Sequence, residues 1–167
     1  MTSAANQDVL FDPDAPGWRP VSPRLITVRR IVIAIWFGLP VAGGLICWAI
    51  FRHWWILIPT GVWAAVGIWA AWLVGRLVRA IGYLERADDL LIRKGVLMRE
   101  LKVVPYGRLQ YLDVTAGPLA RAFGLAELDL KTAAGSLDAS LPGLEADEAA
   151  RLRDRLSELG NARMAGL

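Results

Sequence analysis

Two charge-free runs fill most of the first half of the chain, and short alternating stretches fill the second. From Ile31 to Phe51 there are 21 residues without Asp, Glu, Lys or Arg, and from Trp55 to Gly75 there are 21 more. As helices rising about 1.5 Å per residue, each run reaches roughly 31 Å, which matches the hydrocarbon thickness of a bilayer. A pair of buried core helices would need more surrounding protein than the remaining chain supplies. The pattern predicts a two-helix transmembrane hairpin over 23–79, with spans about 31–51 and 55–75. "VSPRLITVRR" starts the first helix, with Ser22 as N-cap and Pro23 at the first helical position.

Past Arg79 the period shortens. "YLERA" reads as a strand, Asp88–Asp89 as a turn, "LLIR" as a second strand and Lys94–Gly95 as a tight turn. "VLMRELKVV" makes a third strand, closed by Pro105 because proline cannot donate to a ladder. "RLQYLDVTA" is a fourth, "GPLARAFG" a helical turn ending at Gly124, and "LAELDLKTA" a half-buried fifth. A turn at Ala134 to Ser136 and the strand "LDASL" follow. The last element is a helix from Leu144 to about Leu159, with Ala149, Leu152, Leu156 and Leu159 on one stripe. Acidic residues crowd its start and Gly160 marks its stop. A one-sided helix and half-buried strands must cover one another. The expected class is α+β: the membrane hairpin, then a small antiparallel β-barrel over 80–160 capped by the C-terminal helix. Residues 1–22 read as an irregular cytoplasmic tail and 161–167 as a C-terminal tail.

Composition agrees, with 55% hydrophobic residues and a mean hydropathy of +0.39. The net charge of +3 matters less than its placement. Arg19, Arg24, Arg29 and Arg30 precede the first span, Arg76 and Arg79 follow the second, and only Arg52, His53 and Trp54 join the two. The positive-inside rule then predicts a multi-pass plasma-membrane protein with both termini cytoplasmic and the short loop outside. Trp48, Trp54 and Trp55 suit the outer interface and Trp72 the inner one, while Gly43, Gly44, Gly61 and Gly67 suit close helix approach. The first run is too long for a signal peptide and leads at once into a second. Arg24, Arg29, Arg30, Arg76 and Arg79 lie at the inner boundaries, and Arg93 with Lys94 would extend contact with the inner leaflet through a hairpin tip.

Candidate chemistry is sparse. Cys47, the single cysteine, lies within the first run and has no partner for a disulfide. His53, the single histidine, reads as an interfacial residue beside Arg52, and neither span carries an acidic residue of the kind that marks an ion or substrate path. No triad, metal cluster or phosphate loop is spelled out, so neither catalysis nor a cofactor is expected. From Arg76 onward 14 Lys and Arg face 13 Asp and Glu, so nucleic acid is not an expected partner either.

The stretch "YLERADDLLIRKGVLMRELKVVPYGRLQYLDVTAGPLARAFGLAELDLKTAAGS" resembles the bacterial pleckstrin-homology-like domain of YdbS-like membrane proteins. Gly95, Pro105, the Arg-x-Gln of Arg108 and Gln110, the turn at Arg121, Gly124 and Leu125, and the hairpin from Thr132 to Gly135 carry the likeness. Ala133 stands where serine is often expected. The resemblance covers about seventy-five residues and implies a PH-like barrel with a capping helix, commonly preceded by a helical membrane hairpin. It implies no ligand. In structural terms, Gln110 suits a bond to a turn backbone, Arg108 a pairing with Asp113 or a carbonyl, and Gly95 and Pro105 act on shape. Two functions fit. One is a membrane-anchored, non-catalytic interaction module that binds a protein partner or the inner leaflet surface. The other is a structural subunit of a cell-envelope membrane complex, recognised through its transmembrane helices. A homo-oligomer is compatible with either.

Overall fold

The computed structural model describes residues 17–96, 98–132 and 138–164, with side chains up to residue 160. The turn expected at Ala134 to Ser136, Gly135 with it, and residues 1–16 of the expected N-terminal tail lie outside the described residues. The chain divides into two units: Ile26–Arg76, and a second built from the segments that end at Leu25 and resume at Leu77.

The first unit carries most of α1 (Arg24–Phe51) and α2 (Leu57–Arg79), with a 3-10 turn, Trp54–Ile56, before α2. Both helices are long and apolar enough to cross a membrane. Arg52 reverses the chain at a φ of 56°, its N–H bonded to the Trp48 carbonyl at 2.8 Å. Two of the four glycines expected at a helix contact are there: a Cβ on Gly44 would strike the Thr60 side chain, and one on Gly67 would lie 2.8 Å from Phe37 Cβ. Gly43 and Gly61 face open space. Phe37 and Trp63 rings meet at 5.2 Å. Trp36, Trp69 and Trp72 point outward, as side chains on a lipid-facing surface do.

The second unit is a pair of antiparallel sheets and a helix. β1 (Arg19–Pro20), β2 (Gly82–Glu85), β3 (Asp89–Lys94) and β4 (Glu100–Pro105) pair in that order. β5 (Leu109–Thr115), β6 (Leu125–Thr132) and β7 (Ala139–Glu145) make the second sheet. The five-residue helix α3 (Pro118–Ala122) links β5 to β6, and α4 (Ala146–Met164) ends the described chain. Leu90, Leu128, Leu130, Leu141, Leu152 and Leu156 are among the fully buried side chains. In β3, Leu90, Leu91 and Ile92 are all buried, so that strand is covered on both faces, which a continuous apolar run permits.

Several expectations need correction. The strands do not close into one barrel: no ladder joins the two sheets among the described residues. Pro105 ends β4 and a 3-10 turn, Tyr106–Arg108, intervenes before β5 begins. The N-terminal segment is not irregular throughout, because Arg19 and Pro20 pair with Tyr83 and Gly82 and make β1. The strand expected from Val96 starts only at Glu100, so Val96 and Met98 belong to a hairpin loop. Leu144 lies in β7, which ends at Glu145, rather than opening the helix, and α4 runs through Gly160 to Met164, past the expected stop. A glycine inside a helix costs about 1 kcal/mol relative to alanine; here it lies alongside the Tyr106 carbonyl, 3.5 Å from where a Cβ would sit.

Candidate functional site

The basic residues at the helix ends divide by unit. In the apolar unit, Arg30 Nε donates to the Ala71 carbonyl at 3.2 Å and the Arg76 guanidinium lies 4.8 Å over the Trp72 ring, while Arg29 is half-buried. In the second unit, Arg24 pairs loosely with Glu145 at 3.9 Å and Arg79 is exposed. Arg93 does not present its charge to the surface. It is 5% exposed, with its guanidinium 4.7 Å from the Trp18 ring, a cation–π contact supplied from outside its own sequence neighbourhood. Lys94 Nζ donates to Ser140 Oγ at 3.2 Å.

The hairpin between β3 and β4 begins and ends at the Lys94–Glu100 pair. Gly95 takes a φ of +94°, and a Cβ there would run into the Met98 carbonyl oxygen, so only glycine allows this fold-back. Lys102 Nζ donates to the Asp138 carbonyl at 2.7 Å and lies 3.7 Å from Glu100. Lys94, Lys102, Lys131 and Ser140 border a shallow cleft of about 240 Å³, with Asp129 and Asp138 as its acidic members.

The described motif residues lie at turns or on the strands beside them. Pro105 ends β4 opposite Asp89, and Tyr106 then anchors the crossing between the sheets: its N–H bonds the Asp88 carbonyl at 3.2 Å and its hydroxyl the Arg86 carbonyl at 3.0 Å. Burial pushes the Tyr106 phenol up from its ordinary pKa. Arg108 is exposed at the end of the 3-10 turn, and Gln110 is exposed where the β5–β6 register shifts between Leu109 and Tyr111. Arg121 lies in the last turn of α3, its carbonyl accepting from the Gly124 N–H at 3.0 Å. The Gly124 carbonyl in turn accepts from Ala146 at the start of α4. Thr132 is buried and its N–H bonds Asp138 Oδ1 at 3.1 Å.

β5 is the outer strand of its sheet, and its other edge pairs with no described strand. Beside it a cleft of about 240 Å³ runs between Leu109, Gln110 and Tyr111 on one wall and Arg153, Leu156 and Ser157 of α4 on the other.

An ionic clasp joins β1 and β2 to α4. Arg151 Nη2 reaches Glu85 Oε1 and Glu148 Oε1, both at 2.7 Å, while its Nε donates to Glu148 Oε2 at 2.8 Å. Arg155 approaches Glu85 at 3.4 Å and Arg19 approaches Glu148 at 3.2 Å. The Tyr83 hydroxyl donates to Glu148 Oε1 at 2.8 Å. The hydrogen bonds from Arg151 hold the Glu148 carboxyl down at about 2, and burial together with that carboxylate pushes the Tyr83 phenol up to about 12. Neither group exchanges protons near neutrality, so the cluster suits fastening rather than acid–base work. No group of three His, Cys, Asp or Glu side chains able to hold a metal occurs among the described residues. Sequence reasoning missed the clasp because its members come from three separate stretches; the Glu148–Arg151 spacing on one helix was the only local signal.

Comparison with known proteins adds a family. The sequence model of the bacterial PH domain family matches residues 24–160. UPF0699 transmembrane protein YdbS of Bacillus subtilis (strain 168) is 32% identical over 107 residues, covering 58% of this chain and 66% of that protein. UPF0699 transmembrane protein YdbT of the same organism is 26% identical over 95 residues, covering 54% of this chain and 19% of that protein. This chain thus spans less than two thirds of the length of either relative. No solved structure matches the chain significantly.

Proposed function

The chain belongs to the bacterial PH domain family, and on that premise we propose that it is a membrane-anchored, non-catalytic interaction module. The carrying observation is the ladder between β1 and β2. Arg19 and Pro20 precede both apolar helices, Gly82 and Tyr83 follow them, and the two segments pair. Paired strands lie on one side of a bilayer, so the intervening helices cross it an even number of times. The two helices are long enough to span, the relatives are transmembrane proteins by name, and the arginines at the helix ends favour the cytoplasmic side for the folded module.

The module offers a protein partner the free edge of β5. An open edge supplies unpaired N–H and C=O groups, and the cleft between β5 and α4 supplies room for the partner's side chains. A second reading, a subunit recognised through its helices, draws on an apolar groove of about 340 Å³ on the helical pair, lined by Ala34, Phe37, Val41, Ala64 and Ile68.

One set of variants of the full-length protein in cells tests both. In a Cys47→Ser background, His53→Cys should react with an impermeant thiol reagent from outside, and Ala87→Cys only after permeabilisation. A photo-cross-linking residue in place of Tyr111 should capture a discrete protein that the same residue at position 87 does not. Capture from position 68 and not 111 would favour recognition through the helices, and outside labelling at position 87 would overturn the orientation.

A further inference from the structure

Met98 is 89% exposed, more than any large apolar side chain on the two apolar helices, where the highest value is 73% at Ile68. Val96, two residues away, is 38% exposed. Apolar side chains at a loop tip of a folded module are placed there against the hydrophobic effect unless something covers them. The loop is also specifically built. The Lys94–Glu100 pair fixes its ends, and the left-handed Gly95 faces the Met98 carbonyl in a way no other residue permits.

Two further observations identify the cover. The first is charge: Arg99 is exposed at one end of the loop beside Glu100, and Lys94, bonded to Ser140, and Lys102, bonded to the Asp138 carbonyl, stand at its base. An apolar tip with a basic rim suits the boundary between acyl chains and anionic headgroups. The second is where the tip lies in the sheet. Gly82 pairs with Arg93 and with Pro20, so the end of the sheet carrying this hairpin is the end at which the chain leaves for α1 and returns from α2. Gly82 is three residues beyond Arg79, the last residue of α2. Three residues reach at most about 11 Å, and one strand spacing of about 4.8 Å separates Gly82 from β3. Covalent reach therefore keeps the base of the hairpin close to the end of a helix long enough to span.

We infer that the β3–β4 tip is a second membrane anchor: Val96 and Met98 enter the interfacial layer of the bilayer, with Lys94 and Arg99 placed at the level of anionic headgroups. This inference rests on the reading of α1 and α2 as spans. It replaces a purely electrostatic contact through Arg93, whose charge is buried, with an apolar one.

Single-cysteine variants of the full-length protein, in the Cys47→Ser background and reconstituted in vesicles with anionic lipid, decide it. An environment-sensitive fluorophore is attached at Met98→Cys, at Ala87→Cys in the β2–β3 turn at the opposite end of the sheet, and at Ile68→Cys on α2. At position 98 the expected result is blue-shifted emission, quenching by lipids labelled on the upper acyl chain, and a several-fold loss of iodide quenching relative to position 87. Replacing Arg99 by Glu, or anionic by zwitterionic lipid, should shift the emission at position 98 back toward the red. If the probe at 98 meets iodide as freely as the probe at 87 while the probe at 68 is lipid-quenched, the tip is not an anchor and the spans stand. If the probe at 68 is itself exposed to iodide and untouched by lipid quenchers, the spans fall and this inference with them.

Discussion

Replacing Arg151 by methionine should loosen α4 from the first sheet, because this one side chain ties Glu85 and Glu148 together. The variant keeps most of the aliphatic stem and removes three charge-assisted hydrogen bonds of 2.7–2.8 Å. Glu85, with its side chain 12% exposed, retains only the longer approaches of Arg19 at 3.6 Å and Arg155 at 3.4 Å. Arg151 itself is 37% exposed, so solvent screens part of the loss. Breaking a fully buried pair costs about 3–5 kcal/mol, and partial exposure brings the expected cost here to about 2 kcal/mol. For a folded unit of this size, that lowers Tm by about 10 °C. Acid dependence supplies a second signature. The Glu148 carboxyl sits at about 2 in the folded protein against 4.5 ordinarily. A depressed carboxyl contributes stability that is full above 4.5 and is lost as pH falls through 4.5 toward 2. At face value this is about 3 kcal/mol, and screening of a partly exposed carboxylate reduces it to about 1–2 kcal/mol. In Arg151→Met most of that acid-sensitive stability should be missing. Pulse proteolysis of the reconstituted full-length protein, across temperature and from pH 7 to pH 2, measures both. A variant that matches the parent in midpoint and in acid profile would refute the clasp as a source of stability.

Two further substitutions test the packing. Leu152→Asp puts a carboxylate at a position of zero exposure on the buried stripe of α4 and should cost several kcal/mol; unchanged protease resistance of the module would mean that the helix does not cap the sheets. Gly143→Ala meets both a φ of +79° and Leu25 Cδ2 at 2.6 Å from the new Cβ, so a loss of about 1–3 kcal/mol is expected, read as faster hydrogen exchange at Ser22, whose N–H bonds the Gly143 carbonyl. Normal exchange there would show that the segment before α1 is held by other contacts.

The two apolar helices were legible because a run of uncharged residues is a local property, and so were most strands and the stripe of Ala149, Leu152 and Leu156. What escaped was set at a distance. Arg93 looks like a charge at a hairpin tip until Trp18, far back in the chain, is laid over it. Val96 and Met98 continue the alternation of the following strand, so periodicity alone assigned them to it; the backbone geometry of Gly95 decides otherwise. β1 is two residues long and one is a proline, and nothing local announces a strand whose partner lies beyond both helices. The separation of the described strands into two sheets, where one barrel was expected, escaped for the same reason, since alternation says which face a strand buries and not which neighbour it keeps. Of the motif residues, Gly95 and Gly124 take left-handed φ angles of +94° and +68°, and Pro105 is the last residue of β4.

Because β1 precedes both apolar helices in the chain and its partner follows them, the first sheet can be completed, if those helices span a bilayer, only when both of them cross. A nascent chain in which only one helix integrates leaves Arg19–Pro20 and Gly82–Glu85 on opposite faces of the bilayer, where they can never meet. Trp18 is then withheld from Arg93, Arg19 from the clasp, and the outer edge of β2 stays open. Where the helices span, completion of a two-residue strand therefore depends on how both of them are threaded.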